Sequence, residues 1–101
     1  MTGKDRKYLR GLAHHLNPVV IVGQRGLNDG VVNSVDQALT DHELIKVRIG
    51  GECPTTRDEA ATLLGTRTGC EVAGAIGRVL ILYRPHPETP RIALPTAAEP
   101  A

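Results

Sequence analysis

Residues 19–32 read VVIVGQRGLNDGVV, and this stretch organises the fold predicted for the whole chain. Its first four residues are β-branched and favour a strand buried on both faces, while Pro18 ends whatever helix precedes them. Gly23 and Gly26 permit a sharp turn or a close approach to a ligand, because no Cβ blocks it. Asn28 is a good N-cap for a following helix. A strand, a loop and a helix start in this order have the geometry of an anion-binding site.

The Gly-x-x-Gly pattern is weak by itself. With 11 glycines among 101 residues, chance placement gives about one such match. A second match at residues 74–77 has no basic residue and a predicted hairpin as its context. The first match gains weight from the strand before it, Arg25 within it and the capped helix after it. A plain strand-to-helix turn remains the alternative reading of its two glycines.

Composition indicates one small globular domain with an uneven charge distribution. The chain is 41% hydrophobic and 23% charged, which is ordinary for a globular protein. Its only aromatic residues are Tyr8 and Tyr83, which argues against a surface that binds unpaired bases mainly by aromatic stacking. The net charge is only +1. Residues 1–27 are nevertheless basic, because one acid, Asp5, stands against Lys4, Arg6, Lys7, Arg10 and Arg25.

Several classes of protein are excluded at this stage. Cys53 and Cys70 are too few and too far apart for a zinc motif, and the sequence predicts no metal site and no cofactor. The longest apolar runs are far shorter than the ~18 residues needed to span a bilayer. The N-terminus lacks the apolar core of a signal peptide. We therefore expect a monomeric cytoplasmic protein with no membrane partner.

Hydrophobic periodicity predicts three helices and four strands. The helices cover residues 2–16, 28–42 and 56–68, and the strands cover residues 19–22, 43–49, 70–76 and 79–84. Thr56 and Glu59 form a capping box for the third helix, whose buried side is predicted to be Ala60, Leu63 and Leu64. Gly69 is placed to end that helix. The last strand is apolar enough for a central position in the sheet.

The order α-β-α-β-α-β-β predicts an α/β two-layer sandwich. Right-handed crossovers place the second and third helices on one face of a four-stranded mixed sheet, and the other face is open or covered by the first helix. The predicted domain is residues 1–84. Residues 85–101 hold five of the seven prolines and form a tail, with Ile92 and Leu94 docked and the residues after Pro95 mobile.

Three blocks of sequence, in order, carry a family resemblance. LRGLAHHLNPVVIVGQRGL at residues 9–27, HELIKVRI at 42–49 and ILYR at 81–84 resemble the CRM domain, named for chloroplast RNA splicing and ribosome maturation. The stand-alone bacterial YhbY form is the most similar in length, and the resemblance covers residues 5–94. It implies a fold like the C-terminal domain of translation initiation factor 3 and binding to structured RNA. For the bacterial members it implies association with precursors of the large ribosomal subunit.

The resemblance also implies a binding loop. The GxxG loop of the family corresponds to Gly23, Gln24, Arg25 and Gly26, and Gln24 stands where many members have a basic residue. Arg25 is then the only cation of the loop, which seats a phosphodiester on its backbone amides. The predicted electropositive track extends this site to Lys4, Lys7, Arg10, Lys46 and Arg48. For the last two, a basic strand face that serves solubility alone remains open.

An enzyme and a protein-interaction adaptor are the alternatives to an RNA-binding module. An enzyme that transfers a phosphoryl group would need a metal-holding carboxylate and an activating base, and the sequence has no P-loop ending. Asp29 and Asp36 follow the loop but have no partner motif, and His14 and His15 point about 100° apart on a helix. We therefore do not expect an enzyme. A protein-interaction adaptor could dock a ribosomal or RNA-processing protein through the apolar hairpin or the proline-rich tail.

Overall fold

A computed structural model describes residues 1–96, and its elements follow the predicted order. The helices are α1 (Gly3–Ala13), α2 (Asp29–His42) and α3 (Arg57–Thr68), and the strands are β1 (Pro18–Val22), β2 (Leu44–Ile49), β3 (Glu71–Ile76) and β4 (Val79–Tyr83). α1 ends three residues earlier than predicted. None of the helices within residues 1–96 has the length and apolar character needed to cross a bilayer. The mobility predicted after Pro95 concerns mainly residues 97–101, which lie outside the described residues.

The four strands form one mixed sheet in the order β1-β2-β4-β3. β1 runs parallel to β2, and β4 runs antiparallel to both β2 and β3, so β4 occupies the central position predicted for it. Val22 pairs with Ile49, and Arg48 pairs with Val79. The end of β1, the end of β2 and the start of β4 therefore lie at the same end of the sheet. The β1–α2, β2–α3 and β3–β4 connections meet at this end of the strands, which we call the loop edge.

Helices cover the two faces of the sheet unequally. α2 and α3 cover one face, in a cluster that includes Val22, Val35, Leu39, Val47, Leu64 and Leu82. On the opposite face, Leu9 and Ala13 of α1 pack against Leu44, Ala73, Ile81 and Tyr83. The predicted sandwich of a sheet and two crossover helices is confirmed, and α1 covers only part of the second face.

Two burial predictions were wrong. Val19 and Ile21 of β1 are 50% and 65% exposed, although the strand was expected to be buried on both faces. β1 is an edge strand, and α1 does not reach its outer side. Leu63 is 45% exposed, because α3 turns Ala60 and Leu64, one helical turn apart, toward the core instead.

The helix ends agree with the predicted caps in most details. The Asn28 side chain accepts the N–H of Val31 at 2.9 Å, and the Thr56 hydroxyl accepts the N–H of Glu59 at 3.2 Å. The capping box of α3 is not formed as predicted, since the Glu59 carboxylate accepts the Thr56 hydroxyl rather than its backbone N–H. Gly69 ends α3 with φ of +72°, in the left-handed conformation that favours glycine.

The segment after β4 lies along the body of the domain. Ile92 and Leu94 pack against the α1 cluster. The buried carboxylate of Glu43 accepts the backbone N–H groups of His86 at 2.9 Å and Arg91 at 2.7 Å. These contacts hold the tail at the other end of the strands, away from the loop edge.

Candidate nucleic-acid interface

Residues 23–26 form a tight turn between β1 and α2. The N–H of Gly26 donates to the carbonyl of Gly23 at 3.0 Å, and Gly26 has φ of +67°. Gln24 and Arg25 lie between the two glycines and are exposed. The turn therefore projects its two non-glycine residues into solvent at the loop edge.

The fold constrains the two glycines of this turn differently. Gly26 is buried, and a Cβ there would lie 3.3 Å from Cγ of Pro54 and 3.5 Å from Oγ1 of Thr55, in a backbone conformation already unfavourable for L-residues. Gly23 is exposed and its φ is not positive. A Cβ at Gly23 would have no atom within 4 Å. The fold thus requires glycine at 26 but not at 23.

The backbone of the turn offers two amides to a ligand. Because the Gly26 N–H is used inside the turn, it is not available to an anion. Within residues 1–96, the amides of Gln24 and Arg25 have no hydrogen-bond partner. The start of α2 follows directly, and its free N–H groups and dipole favour negative charge. Asp29 in its first turn opposes this, but it is paired with Arg67 at 3.1 Å.

The sequence did not identify two arginines that the fold brings to the loop edge. Arg57, at the start of α3, donates from Nη1 to the carbonyl of Gly77 at 2.9 Å and lies 3.4 Å from Asp58. Arg78 in the β3–β4 turn covers the β2–α3 loop, since a Cβ on Gly51 would come within 2.5 Å of its Nη1. Both line a groove of about 270 Å³. No local pattern in the sequence signals them, because the pairing of β1, β2 and β4 brings their loops together.

Two of the predicted basic residues lie on β2, and one of them, Arg48, is next to this edge. Lys46 and Arg48 project from the face of the sheet opposite α2 and α3, as the alternation of β2 predicted. Arg48 is exposed and pairs in register with Ile21, which lies two residues before Gly23. No salt bridge recorded within the described residues involves Arg25, Arg48 or Arg78.

The basic residues of α1 are distributed differently from the prediction of one continuous track. Arg10 lies against β3, where its Nη1 donates to the carbonyl of Ala73 at 3.2 Å. Lys4 and Lys7 line a separate groove of about 480 Å³ beside Pro95 of the docked tail. The structure therefore groups the turn with Arg48, and it groups Lys4 and Lys7 with the tail.

The titratable groups with shifted pKa values lie in the core or beside the tail. Burial raises the pKa of the Cys70 thiol and of the Tyr83 hydroxyl. A hydrogen bond from the Thr96 hydroxyl lowers the pKa of Asp5. Residues 1–96 contain no cluster of histidine, cysteine and acidic side chains arranged to hold a metal ion. The loop edge thus combines exposed guanidinium groups and free amides, which is an arrangement for binding an anion.

The chain is similar to several known proteins over nearly its whole length. A family model described as the CRS1 / YhbY (CRM) domain matches residues 1–84. A Haemophilus influenzae protein named as an RNA-binding protein is 41% identical over 94% of this chain and 95% of its own length. A Bacillus subtilis protein named as a probable RNA-binding protein is 35% identical over 94% of this chain and 99% of its own.

A solved structure supports the same relationship at the level of the fold. The solution structure of a hypothetical protein from Staphylococcus aureus superposes with a TM-score of 0.77 at 34% identity, covering 94% of this chain and 99% of that protein. The family resemblance seen in the three sequence blocks is therefore confirmed. Because the family model matches most of the chain and these relatives are similar over nearly their whole length, this chain belongs to the CRS1 / YhbY (CRM) domain family.

Proposed function

We propose that this protein binds structured RNA by seating a phosphodiester on the turn at residues 23–26. The observation that carries this proposal is Gly23, an exposed glycine for which the fold gives no steric or conformational reason. A close approach of RNA backbone to that position supplies such a reason, since any Cβ would stand between the ligand and the amides. The family membership and the names of the relatives support RNA as the ligand.

The turn contributes two kinds of contact. The amides of Gln24 and Arg25 donate to phosphate oxygens, and the Arg25 guanidinium pairs with the same or the next phosphate. Arg48 and Arg78 extend the positive surface along the loop edge. Contacts of this kind fix orientation and affinity without reading bases, so the target is recognised by its shape. The protein acts by binding rather than by catalysis, as a monomer in the cytoplasm.

The target class that we propose is a precursor of the large ribosomal subunit. The resemblance to stand-alone bacterial CRM proteins supports this choice. Crosslinking of the tagged chain in cell extract, followed by sequencing of the attached RNA, is expected to return large-subunit ribosomal RNA. Enrichment of small-subunit or messenger RNA instead would contradict the target class and leave RNA binding intact.

A matched pair of glycine variants tests the turn. Gly23→Ala is expected to unfold at the same denaturant concentration as the wild type or slightly higher, because its Cβ enters open space and alanine restricts the unfolded chain. Its affinity for RNA should nevertheless fall, as measured by fluorescence anisotropy. Gly26→Ala should lower stability, since positive φ and Pro54 both oppose the new Cβ. Unchanged affinity in a folded Gly23→Ala variant would remove the turn from the site.

The salt dependence of binding provides an independent test. Arg25→Ala should weaken RNA binding and reduce the slope of log K against log salt by about one unit, because one phosphate contact is lost. The melting temperature should not change, since the Arg25 side chain is exposed. An Arg25→Ala variant with the wild-type slope would show that no phosphate is held there.

A protein-interaction adaptor is the second candidate function. One observation favours it, an apolar groove of about 480 Å³ between α1, β1 and the tail, lined by Leu12, Leu16, Val19, Leu44 and Ile92. Such a groove would suit a ribosomal or RNA-processing protein. Titration with RNA at several salt concentrations separates the two functions. An RNA binder loses affinity steeply as salt rises, whereas an adaptor has little RNA affinity at physiological salt.

A further inference from the structure

The part of the sheet that α1 leaves uncovered carries a row of side chains next to the turn. One residue from each strand contributes, and their register places them side by side in the order Ile21, Arg48, Val79 and Ile76. We call this set the open row. With strands about 4.8 Å apart, it spans about 14 Å. Ile21 lies two residues from Gly23, about 7 Å along the strand.

The open row is unusual in combining exposed aliphatic surface with positive charge. Ile21 and Ile76 are each 65% exposed at its two ends, and Arg48 is exposed between them. A groove of about 380 Å³ continues from the row toward the end of α1, where Lys46 and His14 line it. No acidic side chain belongs to the row or lines this groove.

This chemistry favours one class of occupant. An apolar protein surface laid on the row would strip water from Arg48 and Lys46 without supplying a counter-charge, which is costly. A nucleotide supplies both parts: its phosphate pairs with the cations, and its base places a flat apolar face on the guanidinium plane and the isoleucines. A base inside an RNA helix cannot do this, because both of its faces are already stacked.

We propose that the open row and its groove bind one unpaired nucleotide of the RNA whose backbone lies on the turn. This inference rests on the proposed function and narrows it. The preferred target is then a bulge or a helix end, with the paired part on residues 23–26 and the unpaired base on the sheet. The scarcity of aromatic residues fits a site for a single base rather than for a long single strand.

The test compares a blunt-ended RNA duplex with the same duplex carrying one bulged 2-aminopurine. The wild-type protein should bind the bulged duplex roughly 5-fold more tightly, the lower end of what stacking of one base on an aromatic side chain supplies, because the open row has no aromatic residue. The 2-aminopurine fluorescence should change on binding. Arg48→Lys keeps the positive charge but removes the planar guanidinium group on which a base can stack. The ratio of its affinities for the bulged and the blunt duplex should therefore fall most of the way to one, whatever the change in its affinity for the blunt duplex.

Apolar variants complete the design. Ile76→Ser should also reduce the preference, whereas Leu63→Ser, an exposed leucine on α3 behind the sheet, should leave it unchanged. Equal affinity of the wild type for the two RNAs, or a preference that survives both Arg48→Lys and Ile76→Ser, would overturn the inference. If binding to both duplexes still depended on Arg25 in that case, the proposed function would stand. Failure to bind either RNA would overturn both.

Discussion

Glu43, between α2 and β2, is a residue whose replacement has a magnitude that can be worked out from the structure. Among residues 1–96 it is the one non-glycine residue with positive φ, at φ 64° and ψ −48°. It is 1% exposed, and its carboxylate accepts the N–H groups of His86 and Arg91 from the tail. Glu43 therefore combines a strained backbone conformation with a side chain that anchors the tail.

The two effects can be separated by two substitutions. A hydrogen bond to a charged group contributes about 1.5–3 kcal/mol, and Glu43→Ala removes two of them. Because the freed tail amides regain water, we expect a net loss of about 3 kcal/mol at the low end of that range. Glu43→Gly loses the same bonds but releases about 1–2 kcal/mol of strain, less about 0.4–1 kcal/mol for the freer unfolded chain. The glycine variant should therefore be more stable than the alanine variant, by up to about 1.6 kcal/mol.

Urea unfolding followed by far-ultraviolet circular dichroism measures both differences. The m-value should remain nearly constant, so that midpoints report stability. RNA affinity should also remain constant, because Glu43 precedes β2 at the edge opposite the turn. A Glu43→Ala variant within 1 kcal/mol of the wild type would refute the anchoring argument. An alanine variant more stable than the glycine variant would refute the argument from strain.

Three further predictions concern other parts of the fold. Thr96→Val should destabilise the protein at neutral pH, because the Thr96 hydroxyl lowers the pKa of Asp5 below its ordinary value of 3.8. The stabilisation from this hydrogen bond is fully present above pH 3.8 and is lost as the pH falls through the lowered pKa of Asp5, so the difference in stability between variant and wild type should disappear on acidification. Urea midpoints at several pH values check this. At about pH 8 a thiol reagent should label Cys53 quickly and Cys70 slowly, because burial raises the pKa of Cys70, and Cys53→Ser should abolish the fast phase. Arg84→Lys should cost about 1–3 kcal/mol in urea unfolding, since its guanidinium donates to four acceptors on α2 and α3 that an ammonium cannot reach together.

The order of the elements and the central position of β4 were predictable because each depends on local pattern. Helical periodicity, N-caps and the Gly69 stop are encoded within a few residues. The burial of β1 was not predictable in the same way, since a run of β-branched residues suits an edge strand and a central strand equally. Whether a neighbouring strand or helix covers Val19 and Ile21 is decided by pairing with distant segments.

In the candidate site, too, local features could be predicted from the sequence and features that depend on distant segments could not. Arg25 and the turn could be predicted as a candidate site because strand, turn and helix start are contiguous in sequence. Arg57 and Arg78 were missed because only the pairing of β1, β2 and β4 brings their loops to one edge. Lys4 and Lys7 were joined to the site by their closeness along the chain, whereas the fold places them beside the tail.

The two Gly-x-x-Gly matches now separate on physical grounds. In the second match, a Cβ on Gly74 would lie 2.7 Å from Cδ of Arg10, a side chain held in place by its bond to β3, and Gly77 has φ of +58°. Packing and turn geometry therefore account for both of its glycines. In the first match they account for Gly26 and leave Gly23 without a structural reason. Because Gly23 lies beside the exposed Arg25 and its replacement does not disturb the fold, Gly23→Ala is a sharper test of binding than any substitution at Gly26.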